Sequence, residues 1–373
     1  MSATRYQKTD SAVYTLTVGD AVLDAVDISS GLNFSCAVTT DGAAKCWGDN
    51  QYGQLGDGTK IDRAVPVTVR NLGSGVKSIS AGTYHACAVT TDGRAYCWGR
   101  NQDWQLGSST RTDRPNPIFV TSNLTTISAA RNNTCAVQTN GQVKCWGSGY
   151  ANETYGVYEK YIPRTVKGVS GAASVSVGTD SACAITHSGA AYCWGRNGKG
   201  QLGHNNGDFK EAELVTGMQS GVASISVGGQ FACAVTTGGA AKCWGYNHNS
   251  RLGDASTIDR YAPKQVWGLT SGVAGISAGE NSACATMTDG TAKCWGVGTG
   301  GKLGTGNGTS RIIPADVVVG EDRYVKIDVG STGACGVTQA GEARCWGNGF
   351  RGALGNGKEL GYAFTPEQVL AGE

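Results

Sequence analysis

Fourteen cysteines in 373 residues are the first groups in this chain that could do chemistry. Thiols attack as nucleophiles, ligate metals or pair as disulfides, and spacing separates these uses. First cysteines stand at Cys36, Cys87, Cys135, Cys183, Cys233, Cys284 and Cys335, each followed ten residues later by Cys46, Cys97, Cys145, Cys193, Cys243, Cys294 or Cys345. Between Cys36 and Cys46 the turn residues Asp41-Gly42 sit at the centre, so the two cysteines face each other across a hairpin, within reach of a disulfide. A structural zinc takes four ligands, whereas each pair offers two, and only His85 lies beside a pair in sequence. The spacing therefore favours seven local disulfides over free thiols or metal sites, and leaves no thiol nucleophile.

The remaining candidates for catalysis are few. His85, His187, His204 and His248 occupy four different places relative to the cysteines, and no Ser/His/Asp or paired-carboxylate arrangement emerges from spacing. The stretches GDGT at 56–59 and GTGNGT at 304–309 resemble phosphate loops but lack the Lys-Ser/Thr ending and following helix such loops need. Asn-x-Ser/Thr sequons at Asn33, Asn123, Asn132, Asn152 and Asn307 are near the chance level for a chain rich in Asn and Thr. The expectation is a protein with no catalytic residues, no metal and no cofactor.

The elements that position these residues repeat. Successive first cysteines are 51, 48, 48, 50, 51 and 51 residues apart, and every second cysteine precedes Trp-Gly: Trp47, Trp98, Trp146, Trp194, Trp244, Trp295 and Trp346. A period near 50 signals a solenoid or propeller. Within one period, residues 76–81 (VKSISA), 87–91 (CAVTT), 95–98 (AYCW) and a segment like 65–69 (VPVTV) read as four short strands, here named A to D from channel to rim. Pro66, Pro117, Pro163, Pro263, Pro314 and Pro366 stand in the D segments, with Glu213 replacing the proline in the fourth repeat. A residue without an N–H belongs on an exposed edge. The reading is an all-β, seven-bladed β-propeller of four-stranded antiparallel blades.

A 51-residue shift lays residues 14–18 (YTLTV) on 65–69, so the D segment occurs eight times for seven copies of A to C. The extra N-terminal copy is expected to pair with blade 7 and close the ring. Residues 1–13 then form an extension, and 14–373 one propeller with repeat cores at about 25–70, 76–118, 124–167, 172–216, 222–266, 273–317 and 324–370.

Composition agrees. Glycine reaches 58 residues while only 60 are charged, as turn-rich packed sheets require, and 31 basic against 29 acidic residues give +2. That balance argues against whole-molecule steering to nucleic acid. No apolar run of 18 residues occurs, so no membrane insertion is expected.

Gly before strand B, an Asp-Gly or equivalent turn, Trp-Gly, and Gln-Leu-Gly at 54–56, 105–107 and 201–203 together resemble the regulator of chromosome condensation repeat family, with degenerate forms at Arg251-Leu252-Gly253, Lys302-Leu303-Gly304 and Ala353-Leu354-Gly355. Repeat 3 departs most: Thr154-Tyr155-Gly156 stands there and its C to D loop is two residues shorter. The resemblance spans roughly residues 14–370. It implies the seven-bladed fold and a range of roles: guanine-nucleotide exchange factor, chromatin binder, ultraviolet photoreceptor, enzyme inhibitor, or bacterial and viral surface module.

Strand order places the A to B and C to D loops on one face. Three residues before each first cysteine stand Asn33, Tyr84, Asn132, Asp180, Gln230, Asn281 and Thr332, a polar ring at the channel mouth. The C to D loops add Tyr52, Trp104, Tyr150, Tyr155, Tyr158, Tyr161, Tyr246, His248, Phe350 and Arg351. Aromatics and Arg on a loop face are the usual anchors of a protein interface, although tyrosines in long loops also simply pack on the next blade. The four tyrosines of repeat 3, with Trp104 beside them, are the strongest candidate partner site.

Disulfides point to an oxidising destination, and the first 20 residues carry no apolar stretch of the signal-peptide kind. The two together favour a non-enzymatic structural or interaction module outside the cell, a virion component such as a bacteriophage tail, collar or capsid-surface protein, binding a protein or cell-surface receptor. A secreted binding or inhibitory propeller comes second. A regulator of a small GTPase comes third, since the N-terminal tail is nearly neutral.

Overall fold

The computed structural model describes residues 21–148, 160–205, 207–318 and 320–372. They form seven four-stranded antiparallel sheets, each built from consecutive strands in chain order. In blade 1 these are β1 (Ala25–Ser30), β2 (Phe34–Thr39), β3 (Ala44–Gly48) and β4 (Arg63–Thr68). The B strands are almost wholly buried, because both faces of a blade pack on neighbouring blades. Cys36 lies directly opposite Cys46, and the same register recurs in every blade. All seven pairs are disulfide-bonded, with Cα atoms 4.0 to 4.1 Å apart.

Three layers of hydrogen bonds hold each blade to the next. Along the channel run the innermost strands β1, β5 (Val76–Ala81), β9 (Leu124–Ala129), β13 (Ala172–Val177), β17 (Val222–Val227), β21 (Val273–Ala278) and β25 (Tyr324–Val329). The fifth residue of each is Ser29, Ser80, Ser128, Ser176, Ser226, Ser277 or Asp328. Each side-chain oxygen accepts the sixth backbone N–H of the following blade, at 2.7 to 3.1 Å, from Ser29 with Ala81 round to Asp328 with Ser30. In the middle layer the buried indoles donate across the junction, as Trp98 Nε1 does to the Gln54 carbonyl at 2.9 Å and Trp47 Nε1 to the Ala353 carbonyl at 3.2 Å. The glycine ending each Gln-Leu-Gly makes room for that indole: a Cβ on Gly56 would lie 2.8 Å from Trp98 Nε1. At the rim, C to D loops reach the next outer strand, with the Gly58 N–H on the Pro115 carbonyl at 2.9 Å.

The ring closes between blades 7 and 1, where no peptide bond crosses. The outer place in blade 7, beside β27 (Ala343–Asn348), is filled by the C-terminal copy, β28 (Tyr362–Gln368). Residues 14–18, expected to pair with blade 7, lie outside the described residues. The N-terminal contribution to closure comes from the residues just after them. Leu23 N–H donates to the Val369 carbonyl at 2.8 Å, Ala25 N–H to Gly341 at 2.7 Å, and Leu23 returns its carbonyl to the Ala343 N–H at 2.9 Å. Leu72 and Val76 make the corresponding bonds in a covalently continuous junction.

This seam carries charge in its channel layer. Asp328 stands where six blades have serine, and accepts from Ser30 N–H at 2.7 Å and from the Ser29 and Ser277 hydroxyls at 3.2 Å. Lys326 pairs with Asp27 across the same gap. Replacing Asp328 by Ala removes a charge-assisted hydrogen bond worth about 1.5 to 3 kcal/mol. The expected result is a lower denaturation midpoint for Asp328→Ala, while Asp328→Ser, the residue of the other six blades, keeps most of the stability. Equal loss in both variants would show that the hydroxyl ring does not set the closure.

Candidate functional site

The A to B and C to D loops share one face. The carbonyls of Asn33, Tyr84, Asn132, Asp180, Gln230, Asn281 and Thr332 each accept the N–H of the residue after a Trp-Gly pair, at 2.8 to 3.1 Å. Their side chains are half-buried, but of the seven only Tyr84 lines the channel mouth; in each loop the residue one place earlier stands there, from Leu32 round to Ser331. The mouth opens on a bowl of about 350 Å³ lined by residues that include Val177, Val227, Val329, Arg131 and Glu280. Gly31, Gly82, Gly178, Gly228, Gly279 and Gly330 let neighbouring blades approach there; a Cβ on Gly178 would lie 2.1 Å from the Gly228 carbonyl oxygen.

Four of the C to D loops are built around one buried asparagine. Asn50, Asn101, Asn197 and Asn247 each accept, through Oδ1, the N–H of the leucine five residues on at 3.0 Å. Their own N–H groups donate to Asp62, Asp113, Asp208 and Asp259 at 2.6 to 2.9 Å. These loops are thus held from inside and present a fixed outer surface. The pairing escaped the reading of the sequence, although an Asn three residues after the tryptophan is visible in four repeats.

The sequence candidates separate on this scaffold. Tyr52 is half-buried, edge-on to Tyr84 with ring centroids 5.1 Å apart, and Arg100 sits 6.0 Å over its ring. Trp104 is half-exposed, with the Arg111 guanidinium 4.6 Å above it. Tyr246 stacks on His248 at 5.9 Å between Lys199 and Arg251, whose charges lie 4.8 and 4.6 Å from the ring. Tyr161 is half-buried at the edge of the same face. Tyr150, Tyr155 and Tyr158 lie outside the described residues. Phe350 is exposed, but Arg351 turns inward and joins Asp49 at 2.9 Å and Asp62 at 3.2 Å across the seam. Trp267, unassigned by the repeat, is exposed at the end of a D strand, away from these loops.

Among the described residues, the histidines and cysteines form no acid-base or nucleophilic arrangement. His85 is wholly buried beside Thr134, its Nε2 3.0 Å from the hydroxyl, and burial together with Arg100 pushes its pKa down to about 3, so the imidazole is neutral at physiological pH. Every cysteine is in a disulfide. No group of three His, Cys, Asp or Glu side chains is placed to hold a metal among the described residues.

Arg351 belongs to the seam. Burial raises the pKa of Asp49, against the opposing pull of the Gln51 N–H and of the Arg351 guanidinium. A carboxyl raised in the folded state favours folding at low pH and loses that contribution as pH climbs through its folded value. Arg351 offsets this cost only while Asp49 is charged. Arg351→Ala should therefore lower stability by about 1 to 3 kcal/mol at pH 7, where it leaves a buried carboxylate short of a partner. The loss should shrink toward pH 4, as chemical denaturation at the two pH values would show.

Comparison with known proteins places this architecture. Residues 25–54, 76–105, 172–201 and 222–251, and in a second form of the repeat 41–89, 92–137 and 188–235, match the Regulator of chromosome condensation (RCC1) repeat. The ultraviolet-B receptor UVR8 of Arabidopsis thaliana is 43% identical over 96 residues, 26% of this chain and 22% of the receptor. The human E3 ubiquitin-protein ligase HERC2 is 36% identical over 101 residues, 27% of this chain and 2% of the ligase, so the matches cover only a minor part of these relatives. Among solved structures, Prp20p of Saccharomyces cerevisiae superposes with a TM-score of 0.77 at 20% identity, over 93% of this chain and 87% of Prp20p. Human WBSCR16 gives 0.74 at 18% identity, over 85% and 88%. With its repeats matched over more than half its length and the full ring of blades in place, the chain belongs to the regulator of chromosome condensation repeat family.

Proposed function

We propose that this chain is a non-enzymatic interaction module whose working surface is the A to B and C to D loop face, centred on Trp104, with the Tyr52, Tyr84 and Arg100 cluster on the same face. One observation carries the reading. Trp104 has φ +59°, at a place where Gly53, Gly200, Gly301 and Gly352 stand in other blades. In those blades a side chain would collide with the next outer strand: a Cβ on Gly53 would lie 2.5 Å from the Pro115 Cα, and one on Gly352 2.5 Å from the Ala64 Cα. Blade 5 has the small Ser250 at this place, also with positive φ, and Trp104 faces blade 3, whose outer strand β12 (Arg164–Thr165) has only two residues and begins after its proline. A bulky residue with left-handed backbone costs stability, so its place here speaks for a role other than folding.

The family supports binding as the class of function. The yeast protein Prp20p, similar in fold, is described with binding properties toward Gsp1p and histones. The partner of this chain is a different question, addressed by its own surface: aromatic rings capped by arginine on a rigid loop face suit a folded protein. Seven disulfides support an oxidising place of work, a secreted, cell-surface or virion setting.

Trp104→Gly tests the surface. It restores the glycine of other repeats and relieves the backbone, so the melting temperature should hold or rise by the equivalent of about 1 kcal/mol. Partner capture from the native host should be lost. A fall in the melt with capture intact would place Trp104 in the core of the fold instead. The setting is tested by trapping thiols in material from the host and weighing the intact chain: all 14 cysteines should be blocked from alkylation until a reductant is added.

A further inference from the structure

Trp267, the exposed tryptophan that the repeat does not use, stands on the outer rim, and that rim is uneven round the ring. The residue after the last valine of each D segment is Arg70, Thr121, Lys167 or Thr216 in blades 1 to 4, but Trp267, Val318 and Leu370 in blades 5 to 7. A second rim position divides in the same way. It is the residue whose carbonyl receives a loop N–H from the preceding blade: Ala64 and Pro115 in blades 1 and 2, but Ile312 and Phe364 in blades 6 and 7. Ile313 and Tyr362 stand beside them in β24 (Arg311–Asp316) and β28. On blades 5 to 7, Trp267, Ile312, Ile313, Val318, Tyr362 and Phe364 are thus each 37% to 61% exposed.

The loops of blades 5 and 6 join these side chains into one surface. Trp267 N–H bonds the Gly253 carbonyl and Val318 N–H the Gly304 carbonyl, both at 2.9 Å. That sets Val318 Cγ2 3.5 Å from where a Cβ on Gly306 would lie, and gives Trp267 the matching place beside Ala255. Ala255 N–H in turn reaches the Ile312 carbonyl at 3.3 Å, and Gly306 N–H the Phe364 carbonyl at 2.9 Å. The rings of Phe364 and Tyr362 lie 6.4 Å apart. Together the six side chains expose roughly 700 Å², above the ~300–600 Å² of the largest apolar patch on an ordinary monomer and near the ~800 Å² that each partner brings to a stable interface. The carboxylates of the two outer strands are neutralised within the chain, Asp316 by Lys293 at 2.5 Å and Glu367 by Lys358 at 3.8 Å.

We propose that the rim of blades 5 to 7 is a self-association surface, on which a second copy of this chain docks about a two-fold axis through the patch. In such a contact a surface meets itself, so an unpaired charge near the axis faces its own kind. A patch of this size with its carboxylates paired in cis carries no such penalty, whereas it offers a partner of opposite charge nothing to steer by. Because rim and loop face lie on different sides of the propeller, the dimer leaves both loop faces open and presents two binding surfaces at once. The inference does not depend on the assignment of the loop face.

The test is analytical ultracentrifugation of the full chain. From about 1 to 100 μM the mass should rise toward twice the 38.4 kDa of one chain, at high salt as at low. Ile312→Lys/Phe364→Lys places on the patch the residue that protects natural outer strands, and should weaken association by at least roughly tenfold with the melting temperature unchanged. Hydrogen exchange of the wild type needs no variant: residues 312–318 and 362–364 should slow as concentration rises. Trp104→Gly should leave the mass unchanged, which separates this surface from the loop face. A wild type that stays monomeric over the whole range overturns the proposal. Protection of the patch at every concentration then assigns its cover to residues 1–20 of the same chain, and no protection leaves it to a different protein. A dimer that persists in the lysine variant overturns the proposal as well, by placing the contact elsewhere.

Discussion

One side-chain oxygen per blade, at the fifth position of the innermost strand, holds the backbone N–H of the next blade, and the architecture depends on that ring. A hydroxyl at the channel wall takes a donor that no strand can satisfy, since the innermost strand has a neighbour on one side only. Seven such bonds set the distance between blades at the axis. The indole-to-carbonyl bonds then set it half-way out, and the loop-to-strand bonds at the rim. With three radii fixed, the loop face has little freedom left.

Such repetition makes departures informative. Glycines that precede Gln-Leu-Gly or end it are demanded by the approach of the next blade, so a side chain there needs a local reason. Trp104 finds its room where the outer strand of blade 3 is truncated. Arg251 and Lys302 stand where three other blades have glutamine, and each donates to a carbonyl of the next blade. Asp328 and Arg351 stand at the seam. The departures thus fall into those that hold a junction, at the closure and at Arg251 and Lys302, and Trp104 on the loop face.

Much of this was legible in the sequence because it was written seven times. The period, the strand alternation and the proline-marked edge each recur with the same residue types, and one blade teaches the rest. Arg351 shows where that legibility ended. As an arginine beside Phe350 on a loop it reads as an interface anchor, but its acceptors Asp49 and Asp62 are about 300 residues away, and only ring closure brings them together. The serine ring failed to stand out for a related reason: serine in the pattern SIS looks like an ordinary half-buried strand position, and its partner lies a whole repeat further on. Local signals survived; those that depend on a junction did not.

The disulfides and the seam divide the work of holding the molecule together. Each disulfide closes a hairpin of the same ten-residue separation, a constraint on the unfolded chain worth roughly 2 to 3 kcal/mol in the entropy picture. All seven lie within single blades, so none ties one blade to another. Six junctions are also joined by the chain itself; the seventh is not. Blades 7 and 1 could part with every disulfide intact, and both chain ends would be released together. That is the junction where aspartate replaces serine, where Lys326 meets Asp27, and where Arg351 reaches across to two carboxylates. Charged contacts at the channel and at the loop face thus reinforce the one junction that the covalent chain does not join, where non-covalent contacts alone resist opening.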